Sequence, residues 1–230
     1  ALHIVRVPDT ASGTAFICLS DDAENAITVA PGANAGLRPH HLPSLRGIAY
    51  LLLQLETPLD SVANYARLAR EAGVRVVLNA APAAALPPGL LDSVDVLVVN
   101  EGELAALAGE GSVAAQAARL PVPCVVVTLG ARGCFARRGA EMFLQPAFPI
   151  EAVDTTAAGD TFCGALAARL AEHAGLEDAL RFASAASALA CTRLGAQASI
   201  PMRAEVEAWL AGHADEPAQR AALAAYCGLS

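Results

Sequence analysis

Val94-Asp95-Val96-Leu97-Val98-Val99-Asn100-Glu101-Gly102-Glu103-Leu104-Ala105-Ala106-Leu107-Ala108 changes character in its middle. The first six residues form a mostly apolar, β-branched run of the length of a buried strand. From Glu101 onward the residues favour a helix, with Asn100 and two glutamates placed where a helix begins. A buried strand feeding directly into a helix is the repeating unit of a parallel sheet covered by helices.

The same unit recurs on both sides of this stretch. Strands are predicted over 49–53, 74–78, 94–99 and 124–128. Helices are predicted near 59–72, 88–91, 101–108 and 112–120. Residues 133–138 and 141–144 read as an antiparallel pair turning at Arg138-Gly139 and closing one edge of the sheet. Helices follow over 158–173, 176–193 and 203–212, with Asp178 acidic in the first turn of the second. The Ala-rich stretch 215–230 allows one more. Ahead of the sheet, 2–7, 13–20 and 25–30 read as short strands of a meander or hairpin, with a turn at Asp21-Asp22. The fold class is therefore α/β, a mostly parallel sheet flanked by helices, with a small β appendage.

Composition narrows the function. At 230 residues the chain is long enough for one such domain with a sizeable core. Its longest apolar stretches are too short to span a bilayer. A net charge of −8 without a basic cluster argues against nucleic acid and anionic membrane surfaces as partners. All 15 basic residues are arginines. The chain thus offers no lysine for a Walker-A loop, a Schiff base or a protein-kinase strand, and phosphate chemistry would rest on backbone amides, arginine and metal. The six cysteines show no metal-ligand or disulfide spacing, which favours a reducing, cytoplasmic setting.

The sharpest motif is Val153-Asp154-Thr155-Thr156-Ala157-Ala158-Gly159-Asp160-Thr161-Phe162-Cys163-Gly164-Ala165, where a loop becomes a helix. Small residues let a ligand approach the backbone, and the free amides of a first helical turn attract an anion. A carboxylate there could take a proton from an attacking hydroxyl. Taken alone, Asp160 would equally serve as a helix cap. The motif resembles the C-terminal signature of the ribokinase family, the PfkB-type carbohydrate kinases, and the resemblance runs over nearly the whole chain. It implies a ribokinase-like three-layer fold, with 13–30 part of a β lid. It also implies that Asp160 is the catalytic base and that the amides of Ala157, Ala158 and Gly159 form the anion hole.

Further segments fit the same family in order. Asn100-Glu101-Gly102-Glu103 resembles its Asn-x-x-Glu element, implying that Asn100 reaches the ATP phosphates and Glu103 helps hold Mg2+ through water. On its own it is ordinary helix capping. Thr128-Leu129-Gly130-Ala131-Arg132-Gly133 resembles the nucleotide loop, with Thr128 and Gly130 against the nucleotide; alone it is a tight turn. Ala183 and Ser187 fall where the family flanks the adenine, although a small-residue core face explains them as well. Residues 191–201 resemble a monovalent-cation loop, implying K+ held by Asp154, the carbonyls of Thr156, Ala190, Arg193 and Gly195, and the Ser199 hydroxyl. Alone, they read as a loop after a helix end.

Pro31-Gly32-Ala33-Asn34-Ala35 and Gln54-Leu55-Glu56-Thr57-Pro58 point to a ribose-phosphorylating member, with Glu56 accepting from sugar hydroxyls. Isolated, Glu56 would be an N-terminal helix charge. The resemblance departs at the start. The family's first strand and its Gly-Gly sugar-binding segment have no counterpart, so 1–230 is expected to be a kinase domain incomplete at its N-terminus, the remainder of a longer chain. The implied activity is ATP-dependent phosphorylation of the primary hydroxyl of D-ribose or a related sugar, with Mg2+ and K+, in a homodimer formed through the lid. Alternatives are a nucleoside or other sugar kinase of the family, or a non-catalytic nucleotide- or sugar-binding protein on the same scaffold.

Overall fold

The computed structural model describes residues 2–19, 25–214 and 216–229. Six strands form the main sheet: β3 (Tyr50–Leu53), β4 (Arg75–Asn79), β5 (Val96–Asn100), β6 (Cys124–Thr128), β7 (Gly133–Arg138) and β8 (Glu141–Pro146). They lie in sequence order across the sheet. β3 to β6 are parallel, and β7 and β8 add an antiparallel edge. The helices are α1 (Leu59–Glu71), α2 (Glu101–Ala108), α3 (Val113–Arg119), α4 (Ala158–Ala171), α5 (Leu176–Cys191), α6 (Arg203–Gly212) and α7 (Pro217–Cys227).

Strand alternation builds two cores. Val76, Leu78, Leu97, Val99, Val125 and Val127 face one side, against Val62 and Ala66 of α1, Leu104 of α2, Ala117 of α3 and Leu223 of α7. Val77, Val96, Val98, Cys124 and Val126 face the other, against Phe162, Cys163 and Leu166 of α4 and Leu180 and Ala183 of α5. Side chains that alternate faces along a strand, with both faces apolar, require helices on both sides. The expected three-layer α/β architecture follows. No helix among the described residues is long and apolar enough to cross a membrane.

A separate two-stranded antiparallel ribbon, β1 (Thr14–Leu19) and β2 (Asn25–Ala30), stands where the lid was expected. The expected turn at Asp21-Asp22 lies outside the described residues. Two expectations fail. Residues 2–7 form no strand; Leu2 and Ile4 are exposed, and no ladder completes their backbone bonding. The helix expected near 88–91 is replaced by a single 3-10 turn at Leu91–Ser93. Pro87-Pro88 lacks the amides for a helix, and Gly89 turns the chain at φ 77°.

Candidate active site

Asn100 closes β5 and Thr128 closes β6, and the two are register partners in the parallel ladder. Two segments separated in sequence therefore end side by side at the carboxyl edge, where ligands of open α/β sheets bind. Asn100 and Glu103 cap α2 reciprocally: the Glu103 amide donates to Asn100 Oδ1 and the Asn100 amide to Glu103 Oε2, both at 2.8 Å. The capping reading of this motif is thus real, and it fixes Glu103. Burial pushes the Glu103 carboxyl above its ordinary range, against the lowering effect of the Asn100 amide.

Thr128 and Gly130 line a cavity of about 420 Å³ together with Thr155, Ala158 and Gly159 from the opposite loop. Phe148, Pro149 and Ile150 make its apolar wall, and Ser184, Ser187, Ala188 and Cys191 of α5 make the facing one. A cavity of this size, mostly apolar with a few convergent polar groups, suits a small cofactor or substrate. Ala183 is not on it. That residue is fully buried in the core against the sheet, and Ser184, one position on, lines the cavity instead. The pocket face of α5 runs 184, 187, 188, 191, the helical stripe that leaves 183 pointing inward. The expectation fixed on small size, which both faces of α5 share; the i, i+3, i+4, i+7 spacing was the signal that separates them.

The turn into α4 has unusual geometry. Ala157 adopts the left-handed region, φ 59° and ψ 15°, and no side chain caps the helix. A non-glycine residue there costs on the order of 1 kcal/mol, a strain found at ligand sites. The Ala158 amide is turned to the Thr155 carbonyl at 3.2 Å, while the Gly159 and Asp160 amides meet no carbonyl among the described residues. Free amides at a helix start are donors that an anion can use. Asp160 is exposed at this turn. Asp160 and Glu103 both act on Cys163: burial first, then these two negative charges, push its thiol up to about 12. A buried thiol held in its neutral form is not a nucleophile at neutral pH.

Asp154 ties this turn to the loop after α5. Its Oδ1 accepts the Thr156 amide and its Oδ2 the Gly195 amide, both at 2.9 Å. Hydrogen bonds from Thr156 and then Gly195 hold its carboxyl below the usual carboxylate range. The carbonyls of Thr156, Arg193 and Gly195 accept no backbone hydrogen bond among the described residues. The Ala190 carbonyl takes the Arg193 amide at 3.2 Å, and buried Ser199 donates to the Ala196 carbonyl at 2.8 Å, leaving oxygen lone pairs on both. An oxygen-only set of this kind fits a large cation. Glu56 lies exposed between β3 and α1, where the Leu55 amide is anchored to the Ala81 carbonyl at 2.8 Å. It is at the same edge of the sheet but not on the cavity wall.

The family model for pfkB family carbohydrate kinases matches residues 2–203. The chain belongs to the pfkB family. A ribokinase of Haemophilus influenzae is 40% identical over 215 residues, covering 88% of this chain and 70% of that protein. Among solved structures, a ribokinase from Thermotoga maritima superposes with a TM-score of 0.80 at 38% identity, covering 90% of this chain and 72% of that one. The Arabidopsis thaliana ribokinase complexed with ribose and ATP gives 0.78 at 33% identity, over 88% and 70%. The cavity between Thr128 and Gly159 adjoins the segment that carried the resemblance, and Thr155, Phe148 and Ser184 line it although no role was read for them from the sequence.

Proposed function

We propose that this protein is an ATP-dependent sugar kinase that phosphorylates the primary hydroxyl of D-ribose, giving ribose 5-phosphate. The observation that carries the reading is the cavity itself, which joins the loop after β6, the α5 face and the start of α4 up to Gly159, the residue before Asp160. Similarity to ribokinases, one of them solved with ribose and ATP, supports the choice of substrates.

In this reading ATP lies with its base between Phe148 and the Ser184–Ser187 face and its phosphates towards the Gly159 turn. Asn100 reaches the phosphates. Asp160 accepts the proton of the sugar hydroxyl as its oxygen attacks the γ-phosphorus, and the open amides at the start of α4 stabilise the charge that develops. With no lysine in the chain, these amides are the main anion-binding device. Glu103 would help hold Mg2+, and the metal would supply charge neutralisation along the phosphates. Asp154, the carbonyls of Thr156, Ala190, Arg193 and Gly195, and Ser199 would hold K+, which would stiffen the loop joined to the anion turn. Glu56 accepts from sugar hydroxyls.

The β1–β2 ribbon acts as a lid over the sugar and pairs with its twin in a homodimer; exposed Phe16 and Val29 on the ribbon support a second copy as the cover. Free thiols at the described Cys124, Cys134, Cys163, Cys191 and Cys227 support a reducing, cytoplasmic compartment.

A coupled assay of ADP release against ribose, deoxyribose, fructose and nucleosides tests the assignment. Ribose gives the highest kcat/KM if the reading holds. A preferred nucleoside would move the protein to another branch of the family, and nucleotide binding without turnover on any acceptor would favour a binding protein.

A further inference from the structure

α7 lies beyond the segment matched by the family model, yet its last turn reaches both loops that flank the nucleotide cavity. The Tyr226 hydroxyl donates to Glu101 Oε1. The Arg132 guanidinium lies over the Tyr226 ring, 4.2 Å from its centroid, and Arg132 Nη1 is 3.9 Å from Glu101 Oε2. Glu101 directly follows Asn100, and Arg132 ends the 3-10 turn Gly130–Arg132 that begins at a cavity-lining residue. Three elements thus close a triangle: the start of α2, the nucleotide loop and the end of α7.

The composition of the loop makes this tether matter. In Gly130-Ala131-Arg132-Gly133, Arg132 alone has a side chain long enough to be held. Gly130 and Gly133 sit at φ 55° and 112°, so the loop is built from the most permissive residues. Its far end is fixed, since a Cβ at Gly133 would stand 2.0 Å from the Gln145 carbonyl oxygen. Backbone hydrogen bonds at Leu129 close the turn, and Arg132 is its side-chain tie to α2 and α7. Tyr226 is itself exposed, but it sits on a turn of α7 anchored by buried Leu223 and Cys227. The Glu101 carboxylate pushes the Tyr226 phenol above its ordinary value, so the hydroxyl stays a donor at neutral pH. Ala131, Phe148 and Pro149 wall both the nucleotide cavity and a neighbouring hollow of about 430 Å³ lined by Arg132 and Tyr226.

We propose that Tyr226 is a positioning residue for nucleotide binding: through Arg132 and Glu101 it holds the 130–133 loop and the Asn100 segment in one arrangement, so that ATP meets a preformed site. The inference rests on the kinase reading above.

Calorimetric Kd values for Mg–ATP, measured on the unmutated protein, Tyr226→Phe, Tyr226→Ala, Arg132→Ala and the Tyr226→Ala/Arg132→Ala pair, test it. Losing the stack, together with the Tyr226–Glu101 hydrogen bond in Tyr226→Ala or the Arg132–Glu101 ion pair in Arg132→Ala, weakens ATP by about 5- to 20-fold. Because both residues act through one tether, the double variant is no weaker than the worse single one. Tyr226→Phe keeps the ring under Arg132 and loses only about two- to threefold. The KM for the sugar stays put, a split that a purely structural role would not give. A lowered Tm with an unshifted Kd overturns the proposal. Should Tyr226→Ala fail to fold, exposed Arg132 decides: an unchanged Kd in Arg132→Ala overturns it equally. An unmutated protein that binds no ATP removes the kinase reading and this inference with it, whereas normal binding by all variants removes the inference alone.

Discussion

Ser187 donates its hydroxyl to the carbonyl of Ala158 at 2.9 Å, joining α5 to the first residue of α4 across 29 positions of sequence. Ser187 also lines the cavity, so one side chain both walls it and braces the turn whose amides the proposed function assigns to the phosphoryl group. Ser187→Ala removes one partly buried hydrogen bond, about 1 kcal/mol, or roughly a fivefold loss in kcat/KM for ATP. Steady-state kinetics with varied ATP checks this; an unchanged value would mean that the brace has no bearing on the site.

Ala157 and Gly159 separate stability from function. Ala157 is held at φ 59°, so Ala157→Gly relieves strain and raises stability by about 1 kcal/mol, read from denaturant unfolding. At Gly159 an added Cβ meets nothing within 4 Å. Gly159→Ala in this helical position should therefore stabilise by up to about 1 kcal/mol. If the open space is where the phosphoryl group sits, the same variant loses activity by about tenfold or more, because the methyl group blocks the backbone approach. Stability up with activity down is the expected pair; unchanged activity would move the anion site elsewhere.

Glu103 carries a pH signature. Burial raises its carboxyl above the unfolded value. The folded state then binds the proton more tightly than the unfolded chain, and the group's contribution is lost as pH rises through its folded value. Glu103→Gln removes that cost while leaving an oxygen for the Asn100 amide. The variant should be more stable than the parent at pH 7, with the gap closing as pH falls from the raised folded value and gone below about 4.3, the ordinary glutamate value. It should also need more Mg2+ for half-maximal rate. Thermal unfolding across pH and a Mg2+ titration check the two parts.

Asp154 behaves in the opposite sense. Its carboxyl is lowered by the Thr156 and Gly195 hydrogen bonds, so its contribution is fully present above about pH 4 and lost only as pH falls through the lowered value. Activation by K+ should therefore be flat from pH 8 to about pH 5 on the Asp154 side. Asp154→Asn should raise the K+ concentration for half-activation while leaving ATP binding measurable. Activity independent of K+ in both proteins would remove the cation from the account.

Much of this was legible in the sequence because strand and helix units carry their signals locally. β6 and α2 have the predicted bounds, since Cys124–Thr128 is a continuous apolar run and Asn100 and Glu103 cap each other within four residues. Residues 2–7 share the apolar texture of a strand, but a strand also needs a neighbour, which local pattern does not encode. At the site, the amide-rich turn and Asp160 stand out in the sequence because they are contiguous. That Ala183 lies in the core, that Ser184 and Phe148 line the cavity and that Tyr226 meets Arg132 follow from packing between elements distant in sequence, through helix faces and a loop wall.

The central claim is that Asp160 takes the proton from the sugar hydroxyl. The most direct test is single-turnover phosphorylation of ribose by Asp160→Asn, alongside calorimetric ATP binding. Loss of a general base lowers the rate by about 10²- to 10⁴-fold, and ATP affinity is expected to stay within about threefold. A variant that binds ATP and still transfers phosphate within about tenfold of the parent would contradict the account.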